Sequence, residues 1–141
     1  AYLSTASELI SETTWMFYVH LLFNSSANNY AIFYLTSSTS DLSGEGYMLM
    51  IGGQNDNLRL LKYDGNIAEV LIDGIIGHLD TSSPEINIKI HCDKDGKWIV
   101  CSQLIGVDED YIEEGTAIDN TITKSAFAGI RCIYTASRNM A

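Results

Sequence analysis

Tyr18, His20, Tyr34, Met48 and Met50 are the residues of this 141-residue chain whose types and spacing best suit the recognition of a ligand. Each stands at an alternate position of a stretch with a period of two, on the face opposite a row of bulky apolar side chains. Phenol and imidazole rings offer flat apolar surfaces with polar tips. Such rings stack on the C–H faces of sugars while their tips reach the hydroxyls. A glycan is the expected ligand, held by Tyr18, His20, Tyr34 and Met48, on the condition that their strands are neighbours in one sheet.

Other chemistries have less support. Glycoside hydrolysis needs two carboxylates flanking one bond, but Glu69 and Asp73 stand four apart beside a turn and read as a solvated face. Asp108, Glu109, Asp110, Glu113 and Glu114 fall within residues 104–115, which read as a solvated acidic loop. Asp93-Lys94-Asp95-Gly96 opens in the manner of a calcium loop, yet the third acid and the closing Glu are missing and a hairpin turn accounts for it. Asn55, Asp56 and Asn57 supply oxygens for a weak cation site at most. His20, His78 and His91 lack metal-ligand spacing, and no nucleophile elbow is present. The sequence predicts no enzyme, no metal and no cofactor.

Charge narrows the partners further. The formal charge of −10 comes from 18 acids against 8 bases, which opposes binding to nucleic acid or to anionic lipid. A membrane helix needs about 18 apolar residues, and the longest run, residues 15–23, is roughly half of that and contains His20. No signal peptide precedes Ala1, which fits a cytosolic protein or a processed, exported one. Cys92, Cys101 and Cys132 form no CxxC pair and are expected as buried thiols.

The elements that must carry these residues read as strands. Residues 46–65 form a hairpin: Tyr47, Leu49 and Ile51 alternate with Met48 and Met50, a polar turn follows, and Leu58 and Leu60 alternate with Arg59 and Leu61. In residues 13–23 the odd positions Trp15, Phe17, Val19, Leu21 and Phe23 form a core face. Residues 30–36 repeat the pattern. A second hairpin places Ile86, Ile88, Ile90 and Cys92 on one face and turns at residues 93–97, with Gly96 left-handed and Asp93 paired to Lys97. That register sends Cys101 to the face opposite Cys92, which argues against a bridge between them. Residues 1–12 read as a terminal arm or short strand, and residues 125–135 as the last strand. At this length, short strands with turn signals and no helical periodicity predict one all-β domain over residues 1–141, an antiparallel jelly-roll sandwich.

Trp15-Met16-Phe17-Tyr18-Val19, Asn29-Tyr30-Ala31-Ile32-Phe33-Tyr34-Leu35, Asp41-Leu42-Ser43-Gly44, Gly46-Tyr47, Ile51-Gly52, Tyr63-Asp64-Gly65, Asp95-Gly96-Lys97-Trp98 and Gly115-Thr116-Ala117-Ile118-Asp119-Asn120-Thr121 follow one another in this order. The series, spanning residues 13–134, resembles the concanavalin A-like (laminin-G-like) jelly-roll domains of secreted or surface proteins of Bacteroidetes-type bacteria. The resemblance implies two face-to-face sheets, export, and a non-catalytic module placed ahead of other domains. Such domains finish on one more strand returning beside the first, whereas this sequence ends at Arg138-Asn139-Met140-Ala141. The expectation is a domain short of its last strand, with residues 127–134 flanking an open edge through which copies self-associate. Should that edge be closed, residues 3–10 are expected to cover it. Two functions follow: an adhesive or carbohydrate-binding module of a secreted or cell-surface protein, or a structural spacer with no small ligand.

Overall fold

Alternation of apolar and polar side chains builds ten strands. In the computed structural model, which describes residues 1–135, they are β1 (Tyr2–Ala6), β2 (Thr13–His20), β3 (Tyr30–Ser37), β4 (Gly46–Gly52), β5 (Asn57–Tyr63), β6 (Ala68–Asp73), β7 (Glu85–Cys92), β8 (Lys97–Leu104), β9 (Ile112–Ile118) and β10 (Phe127–Ile133). Every pairing is antiparallel. One sheet has the order β1-β10-β3-β4-β5-β6 and the other β2-β7-β8-β9, and the two stack as the all-β sandwich that the sequence predicts.

The apolar halves of the strands meet between the sheets. Trp98, wholly buried, lies 5.7 Å from the parallel ring of Trp15 and 4.5 Å from the tilted ring of Tyr47. Phe17 stacks on Phe33 at 4.3 Å. Ile86, Ile88 and Ile90 enter from β7 and Leu49, Ile51, Leu58 and Leu60 from the facing hairpin. Fully burying one such side chain is worth about 1.5–3 kcal/mol. The β7–β8 turn has the expected form: Gly96 has φ +82°, the Asp93 amide donates to the Lys97 carbonyl at 3.0 Å, and Cys92 pairs with Trp98. A Cβ on Gly96 would sit 2.6 Å from Cβ of Asn120, so the close passage of the chain after β9 also requires glycine.

Three expectations are corrected, and a fourth falls outside the described residues. Residues 104–115 are not one solvated loop: β9 begins at Ile112, and Glu114 turns inward because Ser102 and His78 meet its carboxylate. The strand at residues 127–134 does not have the open flank expected: β1 pairs along it from Tyr2↔Arg131 to Ala6↔Phe127, with β3 on its other side, which is the alternative in which residues 3–10 cover that edge. Residues Arg138, Asn139, Met140 and Ala141, on which the reading of an absent last strand rests, lie outside the described residues. Of the three thiols only Cys92 is buried; Cys101 is half-buried and Cys132 exposed, and all three are free. Burial pushes the Cys92 thiol up to about 11.

Candidate functional site

The condition placed on the four ligand-facing residues is not met. Tyr18 and His20 stand on β2, in the four-stranded sheet, and Tyr34 and Met48 stand on β3 and β4 of the other. Since the odd positions of β2 and β3 point into the core, the even positions point outward from opposite sides of the sandwich. Within each sheet the neighbours are close: Tyr34 pairs directly with Met48, and Tyr18 and His20 follow one another along β2.

Tyr34 and Met48 belong to a second, smaller core. Residues 38–45 fold over the outer face of the six-stranded sheet and lay Leu42 against Ile32 and Tyr34, leaving Tyr34 5% exposed. Asp41 holds this loop together. Its Oδ1 accepts from the hydroxyls of Thr39 and Ser43 and from the Ser43 amide, and these bonds lower the carboxyl to about 2. Arg131 donates to the Asp41 carbonyl at 3.2 Å and spans the rings of Tyr2 and Tyr34, each 5.8 Å away. The Tyr34 ring is shut off beneath this loop.

Tyr18 and His20 remain open. Tyr18 is 53% exposed, and its hydroxyl donates to Oε2 of Glu85 at 2.6 Å, the contact that raises the phenol pKa. Ser83 Oγ donates to the Leu21 carbonyl at 3.2 Å and so accepts from Nε2–H of His20 at 2.9 Å, which fixes the tautomer of the ring. Beside these pairs is a cleft of about 330 Å³ between residues 77–85 and the turn after β8. Asp80, Thr81, Ser83 and Glu85 give it polar walls, and Leu104, Ile105 and Val107 an apolar side. Along the sheet the outer face continues as a row of polar pairs: Asn87 with Gln103 at 3.3 Å, Thr14 with His91 at 2.8 Å, and Lys89 5.1 Å over the Tyr111 ring.

A charged knot supports the cleft from beneath. Both ring nitrogens of His78 face carboxylates, Nδ1 to Glu114 at 3.0 Å and Nε2 to Asp108 at 2.8 Å. Carboxylates only accept, so the ring carries both protons. Its pKa is raised, chiefly by the hydrogen bond to Glu114. Burial pushes Glu114 upward more than any other single influence, but His78, the Ile75 amide and Ser102 together outweigh it and leave the carboxyl lowered. Asp108 is also lowered against its burial, by the Leu104 amide and His78. Neither nitrogen of His78 is left to act as a base, and the Ser102 hydroxyl is spent on Glu114. The knot ties the segment at residues 74–84 to β9 and to the β8–β9 connection.

Polar groups at the opposite end of the sandwich are similarly consumed. A cavity of about 200 Å³ there is bordered by Asp119, whose carboxylate accepts from Tyr47 and Lys62 and whose carbonyl accepts from Trp98 Nε1. Asp56, read as a donor for a weak cation, accepts from Ser25 at 2.5 Å, and Asn57 is wholly buried with its amide on Asp73 and Gly74.

Of the polar side chains at and beside this cleft, the sequence singles out Tyr18 and His20 but not Asp80, Ser83 or Glu85. One signal was available: Glu85 and Asn87 alternate with Ile86 and Ile88, which puts them on the same outer face as the even positions of β2. Ser83 and Asp80 lie in an irregular segment that has no periodicity to read. No protein-family model matches the chain, and no curated protein matches it.

Proposed function

We propose that this chain is a non-catalytic, concanavalin A-like module of a secreted or cell-surface protein and that it binds a carbohydrate in the cleft beside Tyr18 and His20. The observation that carries this reading is the exposed Tyr18 ring, fixed by its 2.6 Å bond to Glu85 at a cleft whose walls are hydroxyls and carboxylates. A sugar ring stacked on Tyr18 loses water from its C–H face, while Asp80, Ser83 and Glu85 accept from its hydroxyls. Titration with a panel of neutral glycans, read by calorimetry, tests it. The expected result is saturable binding that Tyr18→Ala and Ser83→Ala each weaken; heats no larger than dilution across the panel would remove the reading.

The spacer reading has one observation in its favour. The polar side chains of this outer face are already paired with one another, as in Tyr18 with Glu85, His20 with Ser83 and Asn87 with Gln103. A surface so satisfied is stable in water without a ligand.

A further inference from the structure

Among the described residues Arg59 has no acidic partner, in a strongly acidic chain. It sits on β5, on the outer face of the six-stranded sheet, with Nε buried and without a hydrogen bond. Its Nη2 lies 2.8 Å from Sδ of Met50, a weak acceptor. Asp73 stands directly across from Arg59 in the β5–β6 register, but its Oδ1 accepts from Asn57 at 2.7 Å, and no ion pair joins it to Arg59. Among the other cations, Lys62 is held by Asp119 and Glu69, Lys89 and Arg131 lie over aromatic rings, and Lys94, Lys97 and Lys124 have no ion pair among the described residues; what sets Arg59 apart is its buried Nε.

Nε and Nη2 form one edge of the guanidinium, the edge that grips two oxygens of an anion through parallel bonds. A small open pocket of about 170 Å³ adjoins Arg59, lined also by Ala27, Tyr30, Met50, Gly53 and Gln54. This is several times the roughly 30 Å³ that a water occupies in the liquid. Gly53 keeps it open. A Cβ there would point at Met50 Sδ, 3.4 Å away, and at Arg59 Nη2, 3.7 Å away, so the missing side chain leaves clear the space above the guanidinium.

From these observations we infer that the β4–β5 hairpin binds a carboxylate group, held side-on by Nε and Nη2 of Arg59 in the pocket beneath Gly53. Moving the Met50 thioether aside opens this edge, so that the buried Nε gains an acceptor and Nη2 exchanges sulfur for oxygen. The site is separate from the Tyr18 cleft, on the other sheet, and stands or falls independently of it.

Two-dimensional NMR of the intact chain tests this site, with acetate titrated against chloride at matched ionic strength. The Arg59 Nε–H signal and the Gly53 and Gln54 amides should move saturably while the Arg131 Nε–H signal does not. Arg59→Gln should abolish saturation at Gly53 and Gln54, and Arg59→Lys should weaken it at least tenfold, because an ammonium cannot form the parallel pair. Glucuronate against glucose then shows whether a sugar acid is accepted: saturation by glucuronate alone supports the carboxylate. Shifts that stay linear in acetate, that appear equally at Arg131, that persist in Arg59→Gln, or that saturate with inorganic phosphate but not acetate would overturn it.

Discussion

His78 donates from Nδ1 to Oε2 of Glu114 at 3.0 Å, joining an irregular segment to a strand that begins more than thirty residues later. Because its folded pKa is raised above 6.5, the stability that His78 contributes is complete below that pH and is lost as pH rises through the raised value. Glu114 and Asp108 are lowered from 4.5 and 3.8, so their contributions are complete above those values and disappear as pH falls through the lowered ones. The knot is strongest between these limits. Urea midpoints should decline on the alkaline side for the natural chain, and His78→Gln should flatten that flank. Near pH 6 the same variant should cost about 3–5 kcal/mol, since it strands a buried carboxylate. An unchanged alkaline slope would show that His78 titrates without linkage to folding.

Tyr18 and Tyr34 make the second expectation, because one is exposed on one sheet and the other buried on the opposite sheet. Tyr18→Ala should leave the melting temperature nearly unchanged and reduce glycan affinity by tenfold or more, about 1.4 kcal/mol. Tyr34→Ala should do the reverse, losing about 3 kcal/mol of stability by opening a cavity under Leu42 while keeping affinity. Calorimetric scans and titrations of both variants check the split. A Tyr34→Ala protein of full stability would contradict the second core.

These two tyrosines also mark where sequence legibility stopped. Period-two alternation identifies the face a residue takes, which is why Tyr47, Leu49, Ile51, Ile86, Ile88 and Ile90 were all placed inward. Alternation does not say which sheet a strand joins. β2 and β3 follow one another and look alike, yet they lie in different sheets, so faces expected to merge are opposed. Glu114 was misread for a related reason: an acid is buried only with its partners, and His78 is distant in sequence. β1 stays undecided between an arm and a short strand in the sequence because its residues are mostly exposed and its pairing depends wholly on β10.

Gly96 and Gly65 separate backbone strain from crowding. Both have positive φ, +82° and +98°, but a Cβ at Gly96 would press on Asn120 and the Asp119 carbonyl whereas one at Gly65 meets nothing within 4 Å. Gly65→Ala should therefore cost only the left-handed strain, roughly 1–2 kcal/mol. Gly96→Ala should cost clearly more. Chemical denaturation of the pair checks the order, and equal losses would show that residues 119–120 yield freely.

β1 is expected to act as an edge guard. It covers β10 in register from Tyr2↔Arg131 to Ala6↔Phe127, and the Tyr2 ring adds a contact with the Arg131 guanidinium. Removing residues 1–7 would expose one row of backbone N–H and C=O groups along Phe127–Ile133, together with the side chains of Phe127 and Ile130. Water satisfies the backbone groups, but a second copy satisfies them and buries apolar surface too, at about 25 cal/mol per Å². The shortened chain should then form concentration-dependent dimers in sedimentation velocity runs where the full chain does not. If both sediment alike, β1 protects nothing, and the acidity of the chain, at −10, is what keeps copies apart.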